Sequence, residues 1–240
     1  MKLFVDTAKI EEIEPLLRAG IIDGITTNPS LVAKVPKKEG EFLDRYVNHM
    51  KSIVQLCKDY NKPASLSVEV FTENPKEMVE QALNLKEKIN YENLAIKIPA
   101  PLQDSDGLAE LAVVKELSEK GIDVNYTCCF SSAQLINSAK AGAKYVSLFY
   151  NRLIDFYKTF DITADPLDAI RRTKKYLDEN NSKSEIIAGS IRYPRDITDC
   201  WNAGSHIVTA GYKHIVNMNK HPKTDESVKG FLGDLKKWMD

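Results

Sequence analysis

The residue that sets the chemistry of this chain is a lysine in an apolar run, Asn93-Leu94-Ala95-Ile96-Lys97-Ile98-Pro99-Ala100. No counter-charge lies beside it in the run. A lone ammonium in such a strand pairs, reaches for solvent or gives up its proton. As a neutral amine it attacks a carbonyl and forms a Schiff base. As an edge-strand lysine it merely faces water. Other chemistry-bearing residues recur at the ends of similar runs: Asp6, Asn28, Glu69, Asn125, Thr127, Ser147, Arg152, Ser190 and Arg192. Two carboxylates beside a Schiff-base lysine suit proton transfer, one through a water during imine formation and the other at a substrate hydroxyl as a C–C bond breaks. Asn28 and Asn125 can hold hydroxyl groups. Arg152, Ser190 and Arg192 suit a phosphate, to which arginine offers a planar fork of donors. Each has a plainer reading as well. Asp6 can simply pair with Lys97, Asn28 can shape the Thr27-Asn28-Pro29 turn, and the two arginines can form rim salt bridges. Thr127 and Ser147 can be small interior fillers.

To converge, these residues must be carried by elements of consistent parity. Candidate strands fall at 2–7, 24–28, 65–71, 94–99, 123–130, 145–151, 185–192 and 205–209. Helical periodicity follows each, near 9–19, 40–60, 75–89, 106–120, 131–141, 166–180, 194–203 and 211–219. Eight strand–helix repeats in one chain of 240 residues predict a (β/α)8 TIM barrel, a single α/β domain over 1–240. An additional amphipathic segment, placed within 224–240, predicts an extra C-terminal helix on the barrel exterior or on a neighbouring subunit. Gly20, Gly121 and Gly142 fall where helices should end, and Pro75, Pro166 and Pro194 fall near helix starts. The aromatic-rich stretch 155–165 reads as a connection, a lid or rim segment.

Alternation along a strand sends successive side chains to opposite faces. It directs Phe4 and Asp6, Thr26 and Asn28, Ser65, Ser67 and Glu69, Ala95, Lys97 and Pro99, Asn125 and Thr127, and Ser147 and Phe149 inward. In the seventh strand it is read as Ala188, Ser190 and Arg192. Chemistry in such barrels gathers at the C-terminal strand ends, where these polar residues lie. A constricted interior, with Arg152 or Arg192 adding positive potential, favours the neutral amine that Lys97 needs.

Composition bounds the partners. Lys and Arg number 33 against 34 Asp and Glu, for a net charge of −1. This gives no reason to expect nucleic acid or a membrane surface. No apolar stretch approaches a membrane span, and the start of the chain is too soon charged for a signal peptide. Cys57, Cys128, Cys129 and Cys200 contain no CxxC spacing, and His49, His206, His214 and His221 form no ligand-spaced cluster. A cytoplasmic protein with reduced thiols and no metal is expected. His206 and the Cys128–Cys129 pair are read as packing.

The ordered motifs resemble the transaldolase family. They are Phe4-Val5-Asp6-Thr7-Ala8, Gly24-Ile25-Thr26-Thr27-Asn28-Pro29-Ser30, Ile96-Lys97-Ile98-Pro99, Val124-Asn125-Tyr126-Thr127 with Phe130-Ser131, Val146-Ser147-Leu148-Phe149-Tyr150-Asn151-Arg152, and Ala188-Gly189-Ser190-Ile191-Arg192. They span the whole barrel, and the short length resembles the small subfamily that also contains fructose-6-phosphate aldolase. The resemblance implies Lys97 as the Schiff-base lysine, Asp6 and Glu69 as acid/base groups, and Thr127 with Asn28, Asn125 and Ser147 lining the site. It implies Arg152, Ser190 and Arg192 as the phosphate site. It further implies sugar-phosphate substrates, no cofactor, and a homo-oligomer, a pentamer or decamer. The implied reaction carries a dihydroxyacetone unit from sedoheptulose 7-phosphate to glyceraldehyde 3-phosphate. The alternatives are a fructose-6-phosphate aldolase and a sugar-phosphate-binding barrel without catalysis. Glu69 and Phe149 match the transaldolase side, since the aldolases resemble a version with Gln and Tyr there. Leu148, Tyr150-Asn151 and Ile191 depart from the family's usual residues.

Overall fold

The structure is a computed structural model that describes residues 1–36, 39–102 and 106–239. Eight parallel strands close into a barrel in sequence order. They are β1 (Lys2–Asp6), β2 (Gly24–Thr26), β3 (Ser65–Glu69), β4 (Leu94–Pro99), β5 (Asp123–Cys129), β6 (Tyr145–Phe149), β7 (Glu185–Gly189) and β8 (Ile207–Ala210). Closure comes from β8 pairing with β1, Lys2 opposite Ile207 and Phe4 opposite Thr209. Around the barrel lie α1 (Ile10–Arg18), α2 (Pro29–Val32), α3 (Phe42–Asp59), α4 (Pro75–Ile89), α5 (Leu108–Glu119) and α6 (Ser132–Lys140). The ring continues with α7 (Tyr150–Thr159), α8 (Asp168–Glu179), α9 (Pro194–Asn202) and α10 (Tyr212–Asn217), and α11 (Pro222–Met239) is the extra C-terminal helix.

The strand residues face two different layers. Leu66, Val68, Leu94, Ile96, Ile98, Val124 and Val146 point outward and are fully buried beneath the helices. Burial of each such side chain is worth about 1.5–3 kcal/mol. Inside the barrel a smaller cluster, Phe4, Ala95, Tyr145, Ile187 and Ile207, fills the lower interior. Phe4 meets Tyr145 edge to face, 6.3 Å between ring centres. Gly24 makes room for Phe4, since a Cβ there would stand 2.6 Å from the ring.

Two expectations are corrected. Parity in β7 is the reverse of the reading above: Ile187 joins the interior cluster, while Ala188 packs outward. The run Ile186-Ile187-Ala188 carries no polar alternation, so only the register decides, and it sets Ser147 opposite Ile187 and Phe149 opposite Gly189. The stretch 155–165, read as a connection, is helical through residue 159 and a connection only beyond it. Strand β6 stops at Phe149 and α7 begins at once, taking in residues 150–159. Its apolar positions, with Tyr150 and Leu153 buried, recur at helical spacing, hidden in the sequence by the strand that runs straight into it.

Helix α11, 18 residues long, buries none of its residues. Val228, Phe231, Leu232, Leu235 and Trp238 are all exposed, Trp238 by 82%. Among the described residues no helix is long and apolar enough to cross a membrane.

Candidate active site

The polar interior lies two residues farther along the strands than the apolar cluster. Lys97 stands opposite Glu69 on one side and Asn125 on the other. It is only 4% exposed. Its Nζ donates to Glu69 Oε2 at 2.8 Å and to the Thr27 carbonyl at 2.8 Å. Thr27 is itself fixed, its amide and hydroxyl both donating to the Ser67 carbonyl. The amine is therefore held from two directions. Its ion-pair partner among the described residues is Glu69; Asp6, the other candidate, has a different attachment.

Asp6 Oδ1 accepts from the Thr26 hydroxyl at 2.7 Å. Burial of the carboxyl pushes its pKa above the ordinary aspartate value, against the pull of nearby Lys97 and the Thr26 hydrogen bond. Asn125 is oriented by two neighbours. Its Nδ2 donates to Ser67 Oγ at 3.2 Å and its Oδ1 accepts from Ser147 Oγ at 2.6 Å. Thr127 Oγ1 is buried and has no hydrogen-bond partner among the described residues. An unmatched buried hydroxyl at a polar cavity has a donor and acceptor free for a substrate or a water.

A cavity of about 90 Å³ has Asp6, Thr26, Asn28, Lys97, Asn125, Thr127, Ser147, Phe149, Arg152, Gly189, Ser190 and Thr209 in its wall, while Glu69 stands behind Lys97, outside that lining. Asn28 also caps α2, accepting from the Leu31 amide at 3.0 Å, so its turn-shaping and site-lining readings coexist. Arg152, on the first turn of α7, lays its guanidinium over the Phe149 ring at 5.1 Å. Ser190 enters the wall through a positive φ of 59° just past β7, and not through strand alternation.

Arg192 sits outside the cavity lining. Its guanidinium makes a two-pronged ion pair with Asp155 of α7, Nη1 at 2.8 Å from Oδ1. The pair holds the Asp155 carboxyl below, and the Arg192 guanidinium above, their ordinary pKa values.

Three contributors escaped the sequence reading. Asp196 is buried at the third position of α9 and accepts from the amides of Arg192 and Tyr193 and from the Asn151 side chain, at 3.1, 3.0 and 2.7 Å. It thereby sets the loop carrying Ser190 and Arg192. Its signal was an acid three residues into a helix that opens on a proline. Thr209, in the cavity wall, sits 2.6 Å from the Thr26 hydroxyl. Cys128, read as packing, occupies a β-bulge between β5 and β6 with φ of 60°, close enough for Glu69, Lys97 and Arg152 to act on its thiol. Burial pushes that thiol up, which keeps it protonated.

Comparison with known proteins adds a family to this geometry. Residues 3–239 match the profile described as transaldolase/fructose-6-phosphate aldolase. A protein named probable transaldolase from Lachnoclostridium phytofermentans is 38% identical, the alignment covering 98% of each chain. Another of that name from Clostridium kluyveri is 41% identical over 98% of this chain and 97% of its own. Among solved structures, thiamine phosphate pyrophosphorylase from Pyrococcus furiosus superposes with a TM-score of 0.54, covering 87% of this chain and 84% of its own at 13% identity. That likeness speaks to the barrel alone.

Proposed function

We propose that this chain, which belongs to the transaldolase/fructose-6-phosphate aldolase family, carries a dihydroxyacetone unit from sedoheptulose 7-phosphate to glyceraldehyde 3-phosphate. The products are erythrose 4-phosphate and fructose 6-phosphate. A transaldolase-type reaction follows from the family; the substrates and residue roles are our reading. The observation that carries it is a lysine 4% exposed, held against a carboxylate at 2.8 Å, in the wall of a cavity that Arg152 also lines.

Lys97 passes a proton to Glu69 and attacks the donor ketone as the neutral amine. Glu69 returns the proton to the carbinolamine hydroxyl, which leaves as water and gives the iminium. Asp6 takes the proton of the donor's C4 hydroxyl, the C3–C4 bond breaks, and its electrons move into the iminium to form an enamine. The aldose phosphate departs. The enamine attacks the acceptor aldehyde, whose oxygen recovers the proton from Asp6, and water then hydrolyses the imine. Asn125, aimed by Ser67 and Ser147, and Thr127, with its free hydroxyl, hold the oxygens of the dihydroxyacetone unit. Asn28 holds a further hydroxyl. Arg152 and Ser190 receive the phosphate, and Arg192 reaches it by exchanging Asp155 for the incoming anion.

Phe149 presents no hydroxyl to the cavity, so its side chain positions no water on the waiting fragment, and on our reading the enamine survives until an aldehyde arrives. The deciding experiment follows fructose 6-phosphate with and without erythrose 4-phosphate, with borohydride trapping of the adduct. We expect transfer only with the acceptor and a reduced dihydroxyacetone adduct on Lys97. Rapid release of dihydroxyacetone without acceptor makes the protein an aldolase. Sugar-phosphate binding with neither adduct nor turnover makes it a binding barrel.

The four cysteines are free thiols, in keeping with work in the cytoplasm. The uncovered apolar face of α11 supports a homo-oligomer, a pentamer or decamer, in which neighbouring copies cover it. Replacing Phe231→Ser and Trp238→Ser together should lower the mass measured by light scattering to that of smaller species. An unchanged mass rules out α11 as the contact.

A further inference from the structure

Three hydroxyl and carboxyl groups form a chain across the first strand. Thr26 Oγ1 lies 2.7 Å from Asp6 Oδ1 and 2.6 Å from Thr209 Oγ1. Strands β2 and β8 flank β1 on either side, so the two threonines meet over the strand that carries Asp6. Both are almost fully buried, at 3% and 6% exposure.

Valence fixes the direction of this chain. A threonine hydroxyl has one hydrogen. While Asp6 is a carboxylate it can only accept, so the Thr26 hydrogen is committed to it. The contact between the threonines must then be donated by Thr209. The orientation of Thr209 is set by its methyl group. An added Cβ at Gly189 would stand 3.3 Å from Thr209 Cγ2, so the bare glycine leaves the slot in which the methyl rests. When Asp6 gains a proton, both hydrogen bonds can reverse with no heavy atom moving: Asp6 donates to Thr26 and Thr26 to Thr209.

We propose that Thr209 is a positioning residue, whose hydroxyl sets the direction in which Thr26 serves Asp6 and provides the acceptor when that direction reverses. The inference rests on the reading of Asp6 as the group that takes the hydroxyl proton. Lys97 from β4, Glu69 from β3 and Arg152 from α7 are the charged groups that act on Asp6. Lys97 and Arg152 favour the carboxylate, Glu69 opposes it, and burial opposes it most strongly. Donation from Thr26 works against the burial, and Thr209 strengthens that donation by polarising the Thr26 hydroxyl.

The test measures kcat and KM for transfer from fructose 6-phosphate to erythrose 4-phosphate across pH in the whole protein. Thr209→Val keeps the shape and removes the hydroxyl. We expect kcat to fall about tenfold with KM unchanged, and the acidic limb of kcat/KM to move to higher pH. Thr209→Ser should restore both. Should the valine variant fail to fold, Thr209→Ala compared with Thr209→Ser gives the same reading. A wild-type limb and kcat without the hydroxyl, or a serine variant no better than valine, overturns the inference. Asp6→Asn separates the two levels. A loss of about 100-fold or more supports the role of Asp6, whereas near-normal activity overturns that role first. An inactive Asp6→Asn with an unmoved limb in Thr209→Val overturns only the role of Thr209.

Discussion

The lower and upper halves of the barrel interior are built by the same strands, one pleat apart. Phe4 precedes Asp6, Ala95 precedes Lys97, Tyr145 precedes Ser147, Ile187 precedes Gly189 and Ile207 precedes Thr209. Each pair is two residues, or roughly 6.6 Å, apart along its strand. The lower members form a dry cluster of their own. The upper members, with Thr26, Asn125 and Thr127, line the polar cavity. The difference shows how one scaffold separates stability from chemistry. The lower layer stabilises by contact and closes the cavity floor to water. That same dryness makes the carboxyl just above it hard to ionise, against the pull of Lys97 and the Thr26 hydrogen bond, and the upper layer sets a partner beside each ionisable group: Glu69 for Lys97 and Thr26 for Asp6.

The contrast can be broken or sharpened at three points. The largest effect belongs to the upper layer. Lys97→Ala should reduce transfer by about 10⁴-fold or more and abolish the borohydride-trapped adduct, with folding retained by circular dichroism. Activity within tenfold of wild type would mean that the polar layer is not the site. In the lower layer, Phe4→Ala removes the ring that fills the space over Gly24. It should cost about 3–5 kcal/mol in urea denaturation, and a loss below about 1 kcal/mol would mean that the floor is not closely packed.

The smallest effect reverses the usual sign. Burial raises the folded-state pKa of Asp6 above its unfolded value, so the folded protein holds that proton more tightly than the unfolded chain does. Stability therefore falls as pH rises through this interval, and the ionised carboxylate is a burden above it. Asp6→Asn should raise the Tm at pH 7 by about 2 °C. The gain should shrink as the pH falls through the raised pKa toward the ordinary aspartate range near 4. A Tm lower than wild type at pH 7 would show that the charge is fully compensated where it sits.

Much of this arrangement was legible in the sequence because polar and aliphatic residues alternate in the strands that matter most. Ser65-Leu66-Ser67-Val68-Glu69 and Leu94-Ala95-Ile96-Lys97 declare their faces, and the structure sets Glu69 beside Lys97 in register. Where alternation is absent the reading fails. Ile186-Ile187-Ala188 looks alike from both faces, so its direction comes from its neighbours. Ser190 reaches the cavity through a backbone turn that no parity rule describes. Asp155 and Arg192 are 37 residues apart, and the pairing of a helix residue with a loop residue leaves no local trace. Thr209 was within reach, being polar at the end of a short apolar strand, but a strand of four residues offers too little pattern to assign a face.

Closure of the barrel by β8 against β1 also has a consequence in time. Lys2 and Ile207 are direct partners, so β1 has one edge without its mate until residue 207 has been made. At about 5–20 residues per second this wait is roughly 10–40 s. Asp6 lies on the early strand and Thr209 on the late one. The acid–base corner of the cavity is consequently the last part of the interior to be assembled, and no ring-shaped fragment of the nascent chain carries it beforehand.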